Sequence, residues 1–466
     1  GMISVLTSDQ IPLRYAPGMS ISSGSEPLSQ LAVFTDADNM SVMTRKPDEL
    51  QQLDYLDQMT SALPYHLNVA NRALIIGSGT GNDVLQAQFH HAVQIDAVEL
   101  NKLFVELTNL RYRDFVSDVY QQPGVTVHIA DGRDFLNTHS QQFDLIQITL
   151  LDSFNASTAG LYSLNESYLY TTEAIQLYLS RLKPGGYLSI TRWLKMPPRD
   201  ALKLFNTALT VLQNSSGAEA RQQLLLIRSW QTSTLMIKNG IFSPEEILKA
   251  ETFTSKRNFD MVYTSEIQPE QVNRYNVLNT PLFYQATQAL LSGDRQQYIE
   301  RYKFNLQPAT DDRPYFQHFF RWSSFPEMIG LLHKGGASLI ETGYLIVFAT
   351  LCIAILTSIL LILGPLWWLN NIKRNIRRTV KHGHVFAYFF AIGLGFLMIE
   401  IAFMQKFILF LHHPVYAAAA TLTAFLVFAG FGSASSSRLS QRYGQHLGLR
   451  IVIIFIVGFS LGYLLL

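Results

Sequence analysis

Three glycines at alternate positions, Gly77, Gly79 and Gly81, interrupt the apolar run ALIIGSGTGNDVLQA, which then resumes on a helical period. Glycines at the turn from a strand into a helix let the backbone approach a ligand closely. Dinucleotide sites favour G-x-G-x-x-G, whereas here Asn82 stands where the third glycine of that pattern falls. The spacing suits a cofactor without a pyrophosphate, a nucleoside with a sulfonium-bearing tail. Asp83 follows directly and is counted with the loop on the cofactor side. Further acids close later strand-like runs. Glu99 ends QIDAVE, where a carboxylate can accept bonds from both ribose hydroxyls. Asp131 ends VTVHIAD, where it can accept one from an adenine amino group. Asp152 follows FDLIQITLL and faces the same crevice if the sheet is parallel. One such acid is an ordinary loop residue; acids after consecutive strands, beside a glycine turn, make an S-adenosyl-type site.

Strands must position these residues, and the chain alternates strand-like with helix-like runs in the required order. RALIIG, AVQIDAVEL, VTVHIAD, FDLIQITLL and GGYLSITRW are apolar strands separated by helical patterns. That alternation predicts an α/β fold with a doubly wound, mostly parallel sheet of the Rossmann type, covered on both faces. RQQLLLIRSW and TSTLMIKNG read as two adjacent strands that close the sheet. Ahead of it, ISVLTSD, IPLRYAPGMSIS and LAVFTDADNMSVMTR read as a small N-terminal β region, followed by a helix over residues 50–63. FSPEEILKAETF has Ser243 as N-cap, Pro244 at the first helical position and acids in the first turn. The expected division is residues 1–48, the β region; 49–240, the S-adenosyl-binding domain; 241–338, an accessory helical region and linker; and 339–466, about four transmembrane helices.

The membrane expectation rests on the stretches 343–369, 385–411, 415–433 and 449–466, because a helix needs roughly 20 mainly apolar residues to cross the hydrocarbon core. The first has no charged residue; the second carries Glu400 and Lys406, six residues apart and so on different helix faces. Lys406 is expected to snorkel and Glu400 to face other helices. The adjacent His412 and His413 read as an interfacial turn, and Gly458 with Gly462 as a G-x-x-x-G contact. The last stretch reaches Leu466 without a polar flank, which points to a longer protein, and Gly1 ahead of Met2 points to an added residue or a fragment. The aromatic segment ATDDRPYFQHFFRW lies just before the first apolar stretch; it suits either the headgroup level or packing against the soluble domain.

A formal charge of +1 and the absence of a basic stripe exclude a dedicated nucleic-acid binder. The single cysteine, Cys352, excludes disulfides and Cys-based metal sites, and no metal is expected. No internal repeat or low-complexity tract is present.

ALIIGSGTGNDVLQA, IDAVELN, VTVHIADGRDFL, FDLIQITLLDS, GLYSLNESYLY and LKPGGYLSI together resemble the spermidine synthase family of polyamine aminopropyltransferases, in particular its membrane-fused bacterial branch. The likeness spans roughly residues 10 to 195; ATDDRPYFQHFFRW and FLHHPVY also look like that branch. It implies a methyltransferase-like sheet, a decarboxylated S-adenosylmethionine or S-adenosylmethionine donor, a polyamine acceptor, a lipid bilayer as partner and a homodimer. Carried over by position, Gly77, Gly79 and Gly81 line the nucleoside, Glu99 holds its ribose, and Asp131 with Gly132 flanks its adenine. Tyr55 and Tyr162 fall on the acceptor side.

The acceptor side departs from the family's pattern of an aspartate at the end of the fourth strand and a second one three residues later, for here Thr149 precedes Asp152. The gatekeeping Tyr-Gln-Glu reads as DYLDQM, with Tyr55 displaced by one residue and Asp57 where the glutamine would be. A base must take a proton from an ammonium before the amine attacks carbon, and a threonine hydroxyl cannot do this near neutral pH. Asp152 is the expected base, beside Thr149, with Asp57, Asp36 or Asp38 supplying charge. Three readings stay open: aminopropyl transfer, methyl transfer to a small or membrane-borne acceptor, and a non-catalytic nucleoside sensor regulating the membrane part.

Topology sets two arguments against each other. The loop NNIKRNIRRTVKHGH holds Lys373, Arg374, Arg377, Arg378 and Lys381, and the positive-inside rule places it in the cytoplasm. A single crossing by the first stretch then puts the soluble domain outside, away from the cytoplasmic supply of S-adenosyl compounds. A reversal at Gly364-Pro365 would put both on one side. Cofactor supply is the harder requirement, and the expectation is a bacterial inner-membrane protein with its soluble domain in the cytoplasm.

Overall fold

The computed structural model describes residues 3–7, 12–35, 39–45, 47–68, 70–116, 118–151, 165–332, 342–365, 382–411 and 414–443, with 450, 453–454 and 457–458. The chain forms two units, Gly1–Leu361 and Ile362–Leu466.

The first unit begins with an antiparallel three-stranded sheet of β1 (Ile3–Leu6), β2 (Gln30–Thr35) and β3 (Asn39–Thr44). IPLRYAPGMSIS is not a strand in it. Only Leu13 bridges, to Gln30, and Pro12, Pro17 and Gly18 interrupt further pairing. The Gln30 side chain instead serves the backbone of Tyr15, accepting from its N–H at 2.6 Å and donating to its carbonyl at 3.1 Å. Residues Leu50–Gln58 wind as a 3-10 helix and Leu63–Leu67 as a short α-helix.

Alternation then builds the main sheet: β4 (Arg72–Ile76), α1 (Asn82–Phe89), β5 (Gln94–Glu99), β6 (Val125–Ile129), α2 (Gly132–Thr138), β7 (Phe143–Thr149), α3 (Thr172–Ser180), β8 (Leu182–Trp193), α4 (Asp200–Ser216), β9 (Leu224–Arg228), β10 (Thr232–Lys238), α5 (Pro244–Lys256) and β11 (Asp260–Tyr263). The spatial order is β11-β9-β10-β8-β7-β4-β5-β6. Pairings from β8 through β6 are parallel, and β10, β9 and β11 add antiparallel at one edge. β11 lies past residue 240 and still belongs to the sheet, so the sheet runs on through the segment expected to be accessory.

Side chains on a strand alternate between faces, and β4 divides its own accordingly. Leu74 and Ile76 join one core with α3, α4, α6 (Leu282–Leu291) and α7 (Arg295–Arg301); Ala73 and Ile75 join the other with α1, α5 and the segment from Leu53 to Leu67. Ser243 caps α5 as its sequence requires, accepting from Glu246 N–H at 3.2 Å while Glu246 accepts from Ser243 N–H at 2.6 Å.

The aromatic segment before the first apolar helix does two jobs. Phe316 and Phe319 are fully buried in the sheet domain, with Lys203 Nζ 5.1 Å from the Phe319 ring and Arg192 Cζ 5.2 Å from that of Phe316. Phe320 and Trp322 turn the other way. Phe320 stacks on Tyr344 at 4.4 Å and Trp322 meets Phe348 edge-on at 5.3 Å, both partners on α8 (Thr342–Ser358).

Among the described residues, three helices are long and apolar enough to cross a membrane: Gly343–Leu361 in the first unit, and Gly383–Ile408 and Tyr416–Ser436 within α9 (His382–Leu411) and α10 (Pro414–Tyr443) of the second. α9 and α10 pack together, with the Phe425 ring edge-on to Phe396 at 5.4 Å and to Phe403 at 6.0 Å. On α9 Glu400 is half-buried and Lys406 is exposed. His412, His413, the basic loop, Gly462 and most of the fourth apolar stretch lie outside the described residues.

Candidate functional site

The sheet reverses direction at β4: β5 and β6 follow on one side, β7 and β8 on the other. In open α/β sheets a ligand crevice forms at such a point, outside the carboxyl ends of the strands. A cavity of about 730 Å³ lies there, within the roughly 300–1,000 Å³ usual for small-molecule sites.

The glycine loop forms its floor. Gly77 and Ser78 both donate backbone N–H bonds to Val98 O, at 2.8 and 3.1 Å, which draws the loop over the end of β5. Gly77 has φ +75°, and a Cβ there would lie 2.1 Å from Leu151 Cδ2, so both conformation and space demand glycine. Tyr120 braces the loop from behind: its hydroxyl donates to Gly79 O at 2.7 Å and lies 2.9 Å from Ser78 Oγ.

Glu99 is buried at the end of β5 with each carboxylate oxygen accepting one backbone bond at 2.8 Å, Oε2 from Gly79 N and Oε1 from Asn101 N. Burial pushes its carboxyl above the usual range, and the backbone N–H groups of Asn101, Gly79 and Leu100 partly offset this. Asp131 caps α2, its Oδ1 accepting from Arg133 N at 2.8 Å and Asp134 N at 3.3 Å; the second oxygen has no bond among the described residues. Gly132 follows, close enough to β4 that a Cβ would fall 2.5 Å from Ile76 Cγ2.

Gly77, Gly79, Asp83, Glu99, Asp131, Gly132 and Thr149 all line this one cavity. Gly81 does not; it is the N-cap of α1 with φ +94° and sets the helix going. Asp152 and Tyr162, with Asp36 and Asp38, lie outside the described residues.

Two expected acceptor-side residues sit elsewhere. Tyr55 is fully buried behind the wall, its hydroxyl 3.2 Å from Thr44 Oγ1 and donating to Asn82 Oδ1 at 3.3 Å, so it supports Asn82 and does not reach the cavity. Asp57 belongs to an ion-pair cluster: one oxygen is held by the Arg257 guanidinium, the other lies 2.5 Å from His66 Nε2 and 3.3 Å from His90 Nε2. Burial raises its pKa, but the His66 bond and the charges of His66, Arg257 and His90 outweigh that and hold it low. A carboxylate and two imidazoles are metal-ligand types, yet Arg257 Nη2 stands 3.3 Å from His66 Nε2 and already supplies the positive charge.

The N-terminal β region contributes a wall that sequence reasoning missed: Tyr15, Pro17, Thr35, Met40, Ser41 and Val42. Ser41 Oγ lies 2.8 Å from Thr80 Oγ1, and Thr80 donates to Val42 O at 2.6 Å, which fastens β3 to the glycine loop. Apolar Phe104 and Leu151 complete the lining.

The charge of the cavity is one-sided. Asp83, Glu99 and Asp131 line it, and none of the described lining residues is Lys, Arg or His. Burial pushes the Asp83 carboxyl up to about 7, with the hydrogen bond from Thr149 opposing the shift.

Residues 55–198 match the spermine/spermidine synthase domain family. Among curated proteins, a polyamine aminopropyltransferase of Nitrosomonas europaea is 24% identical over 188 residues, 40% of this chain and 52% of its own. Spermidine synthase 2 of Datura stramonium is 31% identical over 130 residues, 27% of this chain and 38% of its own. The chain thus spans about half, or less, of the length of these relatives. A spermidine synthase structure from Thermotoga maritima aligns with 56% of this chain and 86% of that one, at 17% identity and a TM-score of 0.34. The similarity to the spermine/spermidine synthase domain family thus falls within the sheet-bearing part of the chain.

Proposed function

We propose that the sheet domain transfers an aminopropyl group from decarboxylated S-adenosylmethionine to an amine of a polyamine. The observation that carries this is the cavity's charge: three carboxylates and no described cation. Decarboxylated S-adenosylmethionine brings a sulfonium and an ammonium and no carboxylate, and a polyamine is wholly cationic. Both complement such a wall. S-adenosylmethionine brings an α-carboxylate that would enter an acidic cavity with no compensating base among the described lining residues, which opposes binding.

In this reading Glu99 holds the ribose hydroxyls through the lone pairs its backbone bonds leave free, and Asp131 marks the adenine side. Leu151 and Phe104 exclude water around the sulfonium. The apolar helices anchor the domain to a membrane, with the domain on the cytoplasmic side, where S-adenosyl donors are made.

Calorimetry on the detergent-solubilised full chain tests the donor. The expected result is tighter binding of decarboxylated S-adenosylmethionine than of S-adenosylmethionine by at least tenfold, with aminopropylated product found by mass spectrometry. The reverse preference, with methylated product, would replace this reading by methyl transfer. Binding without product from any polyamine would make the domain a sensor.

A further inference from the structure

We propose that Asp83 binds the attacking amine of the acceptor and takes its proton, supplying from the first turn of α1 the carboxylate that β7 lacks at Thr149. This deepens the aminopropyl-transfer reading and rests on it for the identity of the acceptor. Three features of the structure converge on Asp83.

The first is its place along the cavity. Glu99 and Asp131 end β5 and β6, on one side of β4, while Thr149 ends β7 on the other. Asp83 is hydrogen-bonded to Thr149 and so belongs to the β7 side, away from the two acids suited to the nucleoside. It is the described acid of the cavity that stands on the β7 side.

The second is rigidity. Gln147, buried on β7, accepts from Tyr65 Oη at 2.7 Å and donates to Gln86 Oε1 at 3.0 Å. Gln86 in turn donates to Leu56 O at 2.7 Å and Ser61 Oγ at 3.0 Å. Thus fixed, the Gln147 amide stands 3.2 Å from Thr149 Oγ1 and 3.5 Å from Asp83 Oδ1. A buried polar network with its members satisfied holds a side chain in one orientation, and this one fixes Asp83 and Thr149 together.

The third is that no described residue of the cavity lining is a cation, which leaves the carboxyl to a cationic ligand. Burial places its titration near neutrality, where it can be ionised to hold an ammonium and basic enough to accept a proton. The titratable groups around it are Tyr65, from the helix Leu63–Leu67, and Tyr120 beyond the glycine loop; burial keeps both phenols neutral. Glu99 and Asp131 are the other described acids of the cavity.

The step balances with these groups alone. The acceptor ammonium gives its proton to the Asp83 carboxylate. The freed lone pair forms a bond to the methylene carbon attached to sulfur, the carbon–sulfur bond breaks with its electrons going to sulfur, and a neutral thioether leaves. The product nitrogen carries the positive charge, and Asp83 later returns its proton to solvent.

The test compares wild type, Asp83→Asn and the double variant Asp83→Asn with Thr149→Asp, each as the full chain. For Asp83→Asn the expected result is turnover down by about 100-fold or more, donor binding within about threefold of wild type, and loss of the limb near pH 7 in the rate profile. The double variant should recover at least about tenfold of the lost rate, because it moves the carboxylate across the hydrogen bond that joins the two positions. Turnover of Asp83→Asn within about threefold of wild type, or loss of donor affinity in step with turnover, would overturn the proposal. A separate arm holds even if wild type turns over no donor: spermidine binding in the presence of methylthioadenosine should weaken at least tenfold in Asp83→Asn. Unchanged spermidine affinity would overturn the assignment on its own.

Discussion

Replacing Glu99 by Gln tests the nucleoside side of the cavity with the smallest change of shape. In the native site the two carboxylate oxygens each accept a backbone N–H, from Gly79 and from Asn101, both at 2.8 Å. A carboxylate offers about four acceptor positions, so acceptor capacity remains for the ribose hydroxyls. An amide offers one oxygen, and whichever way it turns its NH2 faces one of the two backbone donors. One N–H is then left unbonded in a buried place, at a cost of about 1–3 kcal/mol to stability. The same amide loses one ribose bond and the charge that strengthens the other. Hydrogen bonds to charged groups are worth about 1.5–3 kcal/mol each, so affinity should fall by roughly 10- to 100-fold, with about 1.4 kcal/mol to each factor of ten. Titration calorimetry with methylthioadenosine reads this directly, because that ligand lacks the aminopropyl chain and reports the nucleoside contacts alone. A thermal melt run alongside separates unfolding from lost contact. An unchanged dissociation constant in a folded variant would refute the assignment of Glu99 to the ribose.

Two further expectations concern charge. Burial pushes the Asp83 carboxyl up to about 7 in the folded protein, from about 3.9 for a free aspartate, so between those values the folded state binds more protons and stability falls as pH rises. Removing that cost with Asp83→Asn should stabilise the fold at pH 8 by on the order of 2–4 kcal/mol, at about 1.4 kcal/mol per pKa unit, and so raise the melting temperature there, and the advantage should vanish below about pH 4. Equal melting temperatures at pH 8 would contradict the burial argument. Asp57→Asn should do the opposite, costing about 3 kcal/mol by leaving Arg257 without its partner, while methylthioadenosine affinity stays the same. Because the Asp57 carboxyl is held below its ordinary value, its contribution is fully present above about pH 4 and is lost as pH falls through the folded value, so the two proteins should converge in acid melts.

The acids at the strand ends were legible because two patterns coincide: apolar runs of strand length, and carboxylates at the ends where a parallel sheet opens. Glu99 and Asp131 needed only that order to be placed. Asp57 was not legible, since its partner Arg257 lies 200 residues along the chain and no local pattern links them. Tyr15, Met40 and Ser41 come from a separate small sheet, and nothing in their own strands tells which surface they cover. Asp83 was visible as a residue but not for the place it takes. An acid in the first turn of a helix ordinarily offsets the helix dipole, and that local reading conceals a side chain aligned with Thr149, 66 positions later. β11 is only four residues long, too short for its period to announce that the sheet continues there.

The stacking of Phe320 and Trp322 on Tyr344 and Phe348 fixes more than a junction. A domain hung on a loose tether tumbles above its anchor and samples every orientation, whereas one clasped by interlocked rings keeps its crevice at a set angle to the first apolar helix. With that helix in a bilayer, the mouth of the cavity would hold a constant height over the headgroups. Polycations are concentrated at anionic lipid surfaces, so that height would govern how much acceptor the domain encounters, and loosening the clasp would change its supply without altering a single residue of the cavity.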